Sequence, residues 1–123
     1  MMAFVVAGRD LKDRTKQFAL RVMRLYRALP RDEGARVVGR QLLRSGTSVG
    51  ANYRAACRAR SKAEFVAKLG IVLEEADETV FWLELLQESE VVSVEKLAPL
   101  VQETRELTAI FVTSICTAKG IAS

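Results

Sequence analysis

Apolar residues recur at three- and four-residue steps through almost the whole chain, which is the pattern of amphipathic helices. The periodic segments are separated by short stretches of turn and capping residues, and none alternates in the manner of a strand. The pattern predicts helices over residues 10–29, 32–59, 61–88 and 93–118, preceded by an N-terminal tail over residues 1–9. Four amphipathic helices with short connections predict an all-α domain over residues 10–119, an antiparallel up-and-down four-helix bundle.

The second segment changes character along its apolar face. Val37 and Leu42 stand near its start, whereas serine, glycine and alanine dominate from Ser45 onward. Glycine in a helix interior costs about 1 kcal/mol relative to alanine. Gly46 and Gly50 therefore predict a close approach of another helix.

Three polar residues, Ser45, Ser48 and Asn52, project onto the same face and are predicted to be buried. Buried polar groups need hydrogen-bond partners. We interpret them as structural, with the Asn52 amide forming a bond between helices that fixes their register.

Several residues predict where helices begin and end. Ser61 and Glu64 form the S-x-x-E capping box, and Pro30 ends the first helix at Leu29. Gly120 is a stop signal. Pro99 is expected within a first turn, or separating a short turn from the main fourth helix.

The third helix has apolar residues outside its main stripe: Phe81, Trp82 and Leu85 lie roughly 100–160° from its centre. Either the buried face within the protomer is wider than usual, or these residues form a subunit interface. Aromatic residues are enriched at interfaces, which favours the second interpretation.

Charge divides the chain. The net charge is +4, but residues 1–60 hold 14 Lys and Arg against 4 Asp and Glu, while residues 61–123 hold 5 against 11. Such asymmetry indicates a basic surface that meets an acidic partner, nucleic acid first. The alternative is that the basic half pairs with the acidic half, within one protomer or between protomers.

An arginine row on the second helix is the strongest candidate site. Five arginines fall within an arc of roughly 80° opposite the apolar face: Arg36, Arg40, Arg44, Arg54 and Arg58. Phosphates would compensate their mutual repulsion, and so would third-helix carboxylates such as Glu74, Asp77, Glu78 and Glu84. The first helix adds Arg14, Arg21 and Arg24 to the predicted nucleic-acid-binding set.

Other chemistry is poorly supported by the composition. The chain has no histidine, which excludes Ser-His-Asp triads and histidine metal ligands, so no metal, cofactor or catalytic residue is predicted. Cys57 and Cys116 lack metal or redox spacing and are expected to be reduced. With neither a signal peptide nor a membrane span expected, we predict a non-enzymatic cytoplasmic protein.

Two stretches resemble a known family. QLLRSGTSVGAN (residues 41–52), with its R-S-x-x-S-x-x-A-N pattern, and RSKAEF (residues 60–65) are similar to the four-helix-bundle proteins encoded in intervening sequences of bacterial 23S rRNA genes. The resemblance covers roughly Leu11 to Ala118. Many members carry a glutamate shortly after the asparagine, whereas this chain reads Tyr53-Arg54-Ala55-Ala56, which makes the helix more basic.

The resemblance implies a ring-like homopentamer without enzymatic activity. It also implies kinship with the accessory protein of diversity-generating retroelements, which engages nucleic acid and a reverse transcriptase. We therefore carry two hypotheses: a homo-oligomeric accessory protein that binds RNA or DNA, and a protein-interaction or scaffold module whose basic helix docks on acidic partners.

Overall fold

Four helices make up the fold in this computed structural model, which describes the backbone of residues 2–120 and the side chains of residues 11–120. They are α1 (Met2–Ala28), α2 (Glu33–Cys57), α3 (Lys62–Glu88) and α4 (Val94–Lys119), and the described residues form no strand. The predicted four-helix bundle is confirmed. Helix α1 begins at Met2, so residues 2–9 continue the helix that the pattern starts at Asp10. Met1 lies outside the described residues.

Side-chain caps set the helix boundaries. Asp32, Ser61 and Ser93 each accept a hydrogen bond from the backbone N–H three residues later, at 2.9, 3.1 and 3.3 Å. The capping box at Ser61 is modified, because the Glu64 carboxylate accepts from the Arg60 backbone N–H at 3.4 Å. Gly120 ends α4 in the left-handed conformation, as expected.

Pro99 departs from expectation, because it lies inside α4 beyond its first turn and the helix continues through it. Proline removes one backbone hydrogen bond but does not force the helix to end. The buried residues Leu97 and Leu100 on either side hold the segment against the core.

The core runs the length of the bundle and joins all four helices. Its largest fully buried side chains include Phe18 of α1, Leu42 of α2, Leu69 and Leu83 of α3, and Phe111 of α4. The Tyr53 and Phe111 ring centroids lie 6.0 Å apart, which joins α2 to α4 across the diagonal. Val37 is 45% exposed rather than buried. At ~100° per residue it lies about 140° from Leu42, outside the apolar stripe.

Helix α2 approaches α1 closely at its glycines. A Cβ placed on Gly46 would lie 2.8 Å from Val22 Cγ2, and one on Gly50 would lie 3.3 Å from the Thr15 carbonyl oxygen. These glycines therefore allow the close contact between helices that their energetic cost in a helix interior predicts. Helix α2 also packs extensively on α3, and α3 on α4, whereas α1 and α4 touch at few points and leave a seam between them.

Candidate functional site

Four arginines of α2 form an exposed face. Arg36, Arg40, Arg54 and Arg58 are exposed, and none of them forms an ion pair within the described residues. At ~100° per residue they lie about 110–150° from the centre of the buried stripe, on the side of α2 that Gly39, Gly46 and Gly50 turn toward α1. The face therefore belongs to the α1–α2 side of the bundle.

Two lysines of α1, which the sequence reasoning missed, extend this face. Lys12 and Lys16 line a recess between α1 and α2 together with Arg54. Their i, i+4 spacing places them on one side of α1. A helical projection of α1 and α2 packed side by side, rather than of each helix alone, could have identified these two lysines. We call the six cations Lys12, Lys16, Arg36, Arg40, Arg54 and Arg58 the basic face.

Arg44 belongs to a different surface, because it turns toward α3. Its Nη1 lies 3.2 Å from Glu75 Oε2, and its Nη2 donates to Glu78 Oε1. The hydrogen bond from Arg44 lowers the pKa of the Glu78 carboxyl and raises the pKa of the Arg44 guanidinium. For this arginine, carboxylates of the same protomer supply the compensation.

The first-helix arginines face α4 rather than α2. Arg14 donates from Nε and Nη2 to Glu103 at 2.9 and 2.7 Å, and from Nη2 to Glu106 at 3.0 Å. These bonds hold the pKa of Arg14 above its ordinary value. Arg21 and Arg24 line a groove along the seam with Lys96 of α4. The predicted basic set is thus divided between opposite sides of α1.

The predicted interface residues of α3 are unequally exposed. Phe81 is 51% exposed, and its ring meets Trp82 edge-on at a centroid distance of 4.9 Å. Trp82 is half-buried against the core and donates from Nε1 to Glu78 at 3.1 Å. Leu85 is half-buried between α2 and α3, in a pocket with Val38. The wider-face interpretation accounts for Trp82 and Leu85, and Phe81 is left without a cover.

The polar residues of α2 also differ from one another. Ser45 is fully buried and accepts a hydrogen bond from Thr79 of α3 at 2.9 Å. Ser48 and Asn52 are half-buried, and the Asn52 amide donates to the Ser48 carbonyl of its own helix at 2.9 Å. The bond between helices that we expected of Asn52 is formed instead by the Ser45–Thr79 pair.

No constellation for metal or thiol chemistry is found in the described part of the chain. The described side chains, those of residues 11–120, include no group of three or more Cys, Asp or Glu placed to hold a metal ion. Cys57 and Cys116 are free thiols, both half-buried. None of the four helices, over the residues described, has the length and apolar character that crossing a bilayer requires.

Comparison with known proteins decides the family. The model of the 23S rRNA-intervening sequence protein family matches residues 10–113, nearly the whole bundle. The chain belongs to this family. A crystal structure from Bacteroides thetaiotaomicron VPI-5482, of a protein with unknown function from the S23 ribosomal protein family, has a similar fold. It is 39% identical, with a TM-score of 0.82, and the match covers 88% of this chain and 96% of that one.

Membership in the 23S rRNA-intervening sequence protein family defines the fold more fully than the activity. No curated protein matches the chain. Because the function of that relative is unknown, the shared fold assigns no reaction or ligand to this protein. A functional conclusion must therefore come from the surfaces of this chain.

Proposed function

We propose that this member of the 23S rRNA-intervening sequence protein family is a non-enzymatic, homo-oligomeric protein of the cytoplasm that binds RNA or DNA through the basic face. The observation that carries the proposal is the set of four exposed arginines on α2 that form no ion pair with any described side chain, joined by Lys12 and Lys16 of α1. Arginine forms bidentate contacts with phosphate. A surface of this kind binds the nucleic-acid backbone without sequence-specific contacts to the bases. The free thiols fit a reducing compartment.

The pairing within the protomer supports this use of the basic face. Arg14 and Arg44 already bind carboxylates of α4 and α3. The arginines at i, i+4 spacing on the basic face, Arg36 with Arg40 and Arg54 with Arg58, repel each other by ~0.2–0.5 kcal/mol per pair when nothing neutralises them. Phosphates of a bound strand would relieve that repulsion.

The salt dependence of oligonucleotide binding tests the proposal. Fluorescence anisotropy of labelled RNA and duplex DNA is measured across ~50–200 mM salt, where each neutralised phosphate contributes about −0.9 to the log–log slope on duplex DNA. Arg40→Gln/Arg58→Gln should flatten the slope by about 1.8. The control Arg105→Gln/Lys119→Gln removes the same charge from α4 and should leave the slope unchanged. Absence of wild-type binding at low salt, or equal effects in both pairs, would overturn the proposal.

Self-association is proposed through the exposed part of α3. Phe81 is a large aromatic side chain at the surface, surrounded on its helix by Asp77, Glu78 and Glu84. An apolar centre with a charged rim is typical of a protein interface. We expect a homo-oligomer, a pentamer by the family resemblance, in which the partner covers Phe81.

Light scattering coupled to size-exclusion chromatography measures the subunit number. Phe81→Ser should dissociate the oligomer, because it removes the aromatic anchor from the interface. Val112→Ser is the matched control, since Val112 is 41% exposed on α4. A monomeric wild type, or a Phe81→Ser variant of unchanged mass, would contradict the assignment.

A protein-interaction module is the second candidate function. The Arg44 contacts with Glu75 and Glu78 favour it, because they show an arginine of α2 bound to carboxylates of an adjacent helix. In this case the basic face would bind an acidic helix of another protein or of a second copy. In that case the Arg40→Gln/Arg58→Gln variant should no longer bind the acidic protein partner. Neither the wild type nor the variant should bind nucleic acid.

A further inference from the structure

The recess between α1 and α2 combines three cations with a floor of small residues. Lys12, Lys16 and Arg54 stand around it, and Ala19, Thr47, Gly50 and Ala51 complete its lining. Its volume is about 240 Å³, well above the ~10–15 Å³ that one water molecule needs on the same measure. No lining residue carries a carboxylate, and none of the three cations forms an ion pair within the side chains described.

The small floor follows from the helix packing. Gly50 lies against the Thr15 backbone, so α1 and α2 are close there, and the short side chains of Ala19 and Ala51 leave the space above them open. Long side chains at these positions would fill the depression. The three basic side chains therefore line an open depression rather than a filled surface.

The charges specify an anion. Lys12 and Lys16 are point charges with three donors each, and the Arg54 guanidinium presents a planar fork that matches a phosphate oxygen pair. Three positive charges around one small recess favour an anion, and a phosphate oxygen pair meets the Arg54 guanidinium in the bidentate geometry. A phosphate group satisfies the size, the charge and the donor geometry together.

We propose that this recess binds a single phosphate group, contributed by the backbone of a bound nucleic acid, and that it fixes the register of the strand on the basic face. The inference rests on the proposed function for the source of the phosphate, although the recess itself would also accept free inorganic phosphate. Arg54 links the recess to the exposed row, because it shares one side of α2 with Arg58.

A charge-neutral variant separates a specific recess from a diffuse basic surface. Ala51→Met places a long side chain in the recess and keeps every charge, and its matched control Ala109→Met adds the same side chain to an exposed position of α4. Ala51→Met should weaken oligonucleotide binding about eightfold, which is the effect of losing one phosphate contact at 0.1 M salt by counterion release. Lys16→Gln should weaken it similarly and flatten the salt slope by about 0.9.

The outcomes distinguish the recess from the proposed function. If wild type binds oligonucleotides and Ala51→Met binds equally well, the recess is not a phosphate site although the proposed function stands. If the wild type does not bind oligonucleotides, calorimetric titration with inorganic phosphate at fixed ionic strength tests whether the recess binds free phosphate. Heat of binding in wild type that disappears in Ala51→Met supports a site for free phosphate, and no heat in either protein overturns the inference.

Discussion

Gly46→Ala tests the close packing of α1 on α2. A Cβ at this position would lie 2.8 and 2.9 Å from the two Val22 methyl carbons and 3.3 Å from Val22 Cβ. Carbon atoms in contact prefer ~3.5–4.0 Å. Val22 cannot easily yield, because its side chain is fully buried and β-branched, with one preferred rotamer in a helix.

The expected magnitude has two opposing parts. Overpacking a well-filled core costs about 1–3 kcal/mol, whereas replacing glycine by alanine in a helix gains about 1 kcal/mol. Gly46→Ala should therefore lower the free energy of unfolding by up to about 2 kcal/mol. Gly70→Ala is the control, because a Cβ there meets nothing within 4 Å and only the helical gain of about 1 kcal/mol remains.

Urea denaturation at fixed protomer concentration measures both variants, since self-association would make stability depend on concentration. The two alanine variants should differ by about 1–3 kcal/mol, with Gly70→Ala the more stable. In the Val22→Ala background the added methyl group has room, so Gly46→Ala should become neutral or stabilising. Equal stabilisation by Gly46→Ala and Gly70→Ala in the wild-type background would refute the close approach.

Two further changes probe the surface. Glu90 follows α3 with φ 63°, so Glu90→Gly should raise the free energy of unfolding by roughly 0.5–1 kcal/mol in urea melts. The lowered pKa of Glu78 means that its charged form stabilises the fold above its unfolded pKa of ~4.3 and that this stabilisation is lost as pH falls through the lowered value. Arg44→Gln should therefore be less stable than wild type at pH 6, and the difference should shrink between about pH 5 and 3.

A defined result would contradict each of these two predictions. Destabilisation by Glu90→Gly would mean that the Glu90 side chain contributes more than its backbone conformation costs, and Glu88→Gly, within α3, serves as the destabilising comparison. A stability difference between Arg44→Gln and wild type that stays constant from pH 6 to ~3 would show that Glu78 gains nothing from Arg44.

The fold was predictable because its signals are local. Capping residues such as Ser61 and Gly120 act on the turn next to them, and the apolar stripes repeat at the helical period. The predicted position of Pro99 in a first turn was wrong, because a helix interior tolerates one lost hydrogen bond when the neighbouring residues are buried. Residues 2–7 are apolar without interruption, so no polar face marked them as part of the amphipathic helix α1.

The candidate site was less predictable because it depends on how helices are placed side by side. Projection of α2 alone groups Arg44 with Arg40, but the register of α3 decides that Arg44 meets Glu75 and Glu78. The same holds for Arg14, whose partners are 89 and 92 residues away along the chain. Long charged side chains choose partners by tertiary contact, which the spacing within one helix does not contain.

The seam between α1 and α4 gives the bundle an order of opening. These are the two end helices, and each packs mainly on one inner helix. The bidentate Arg14–Glu103 contact bridges them along the seam. We expect either end helix to separate from the other while the α2–α3 pair stays intact. Backbone amides of α2 and α3 should therefore exchange with deuterium slowest, and those of α1 and α4 should exchange earlier through partial unfolding from the seam.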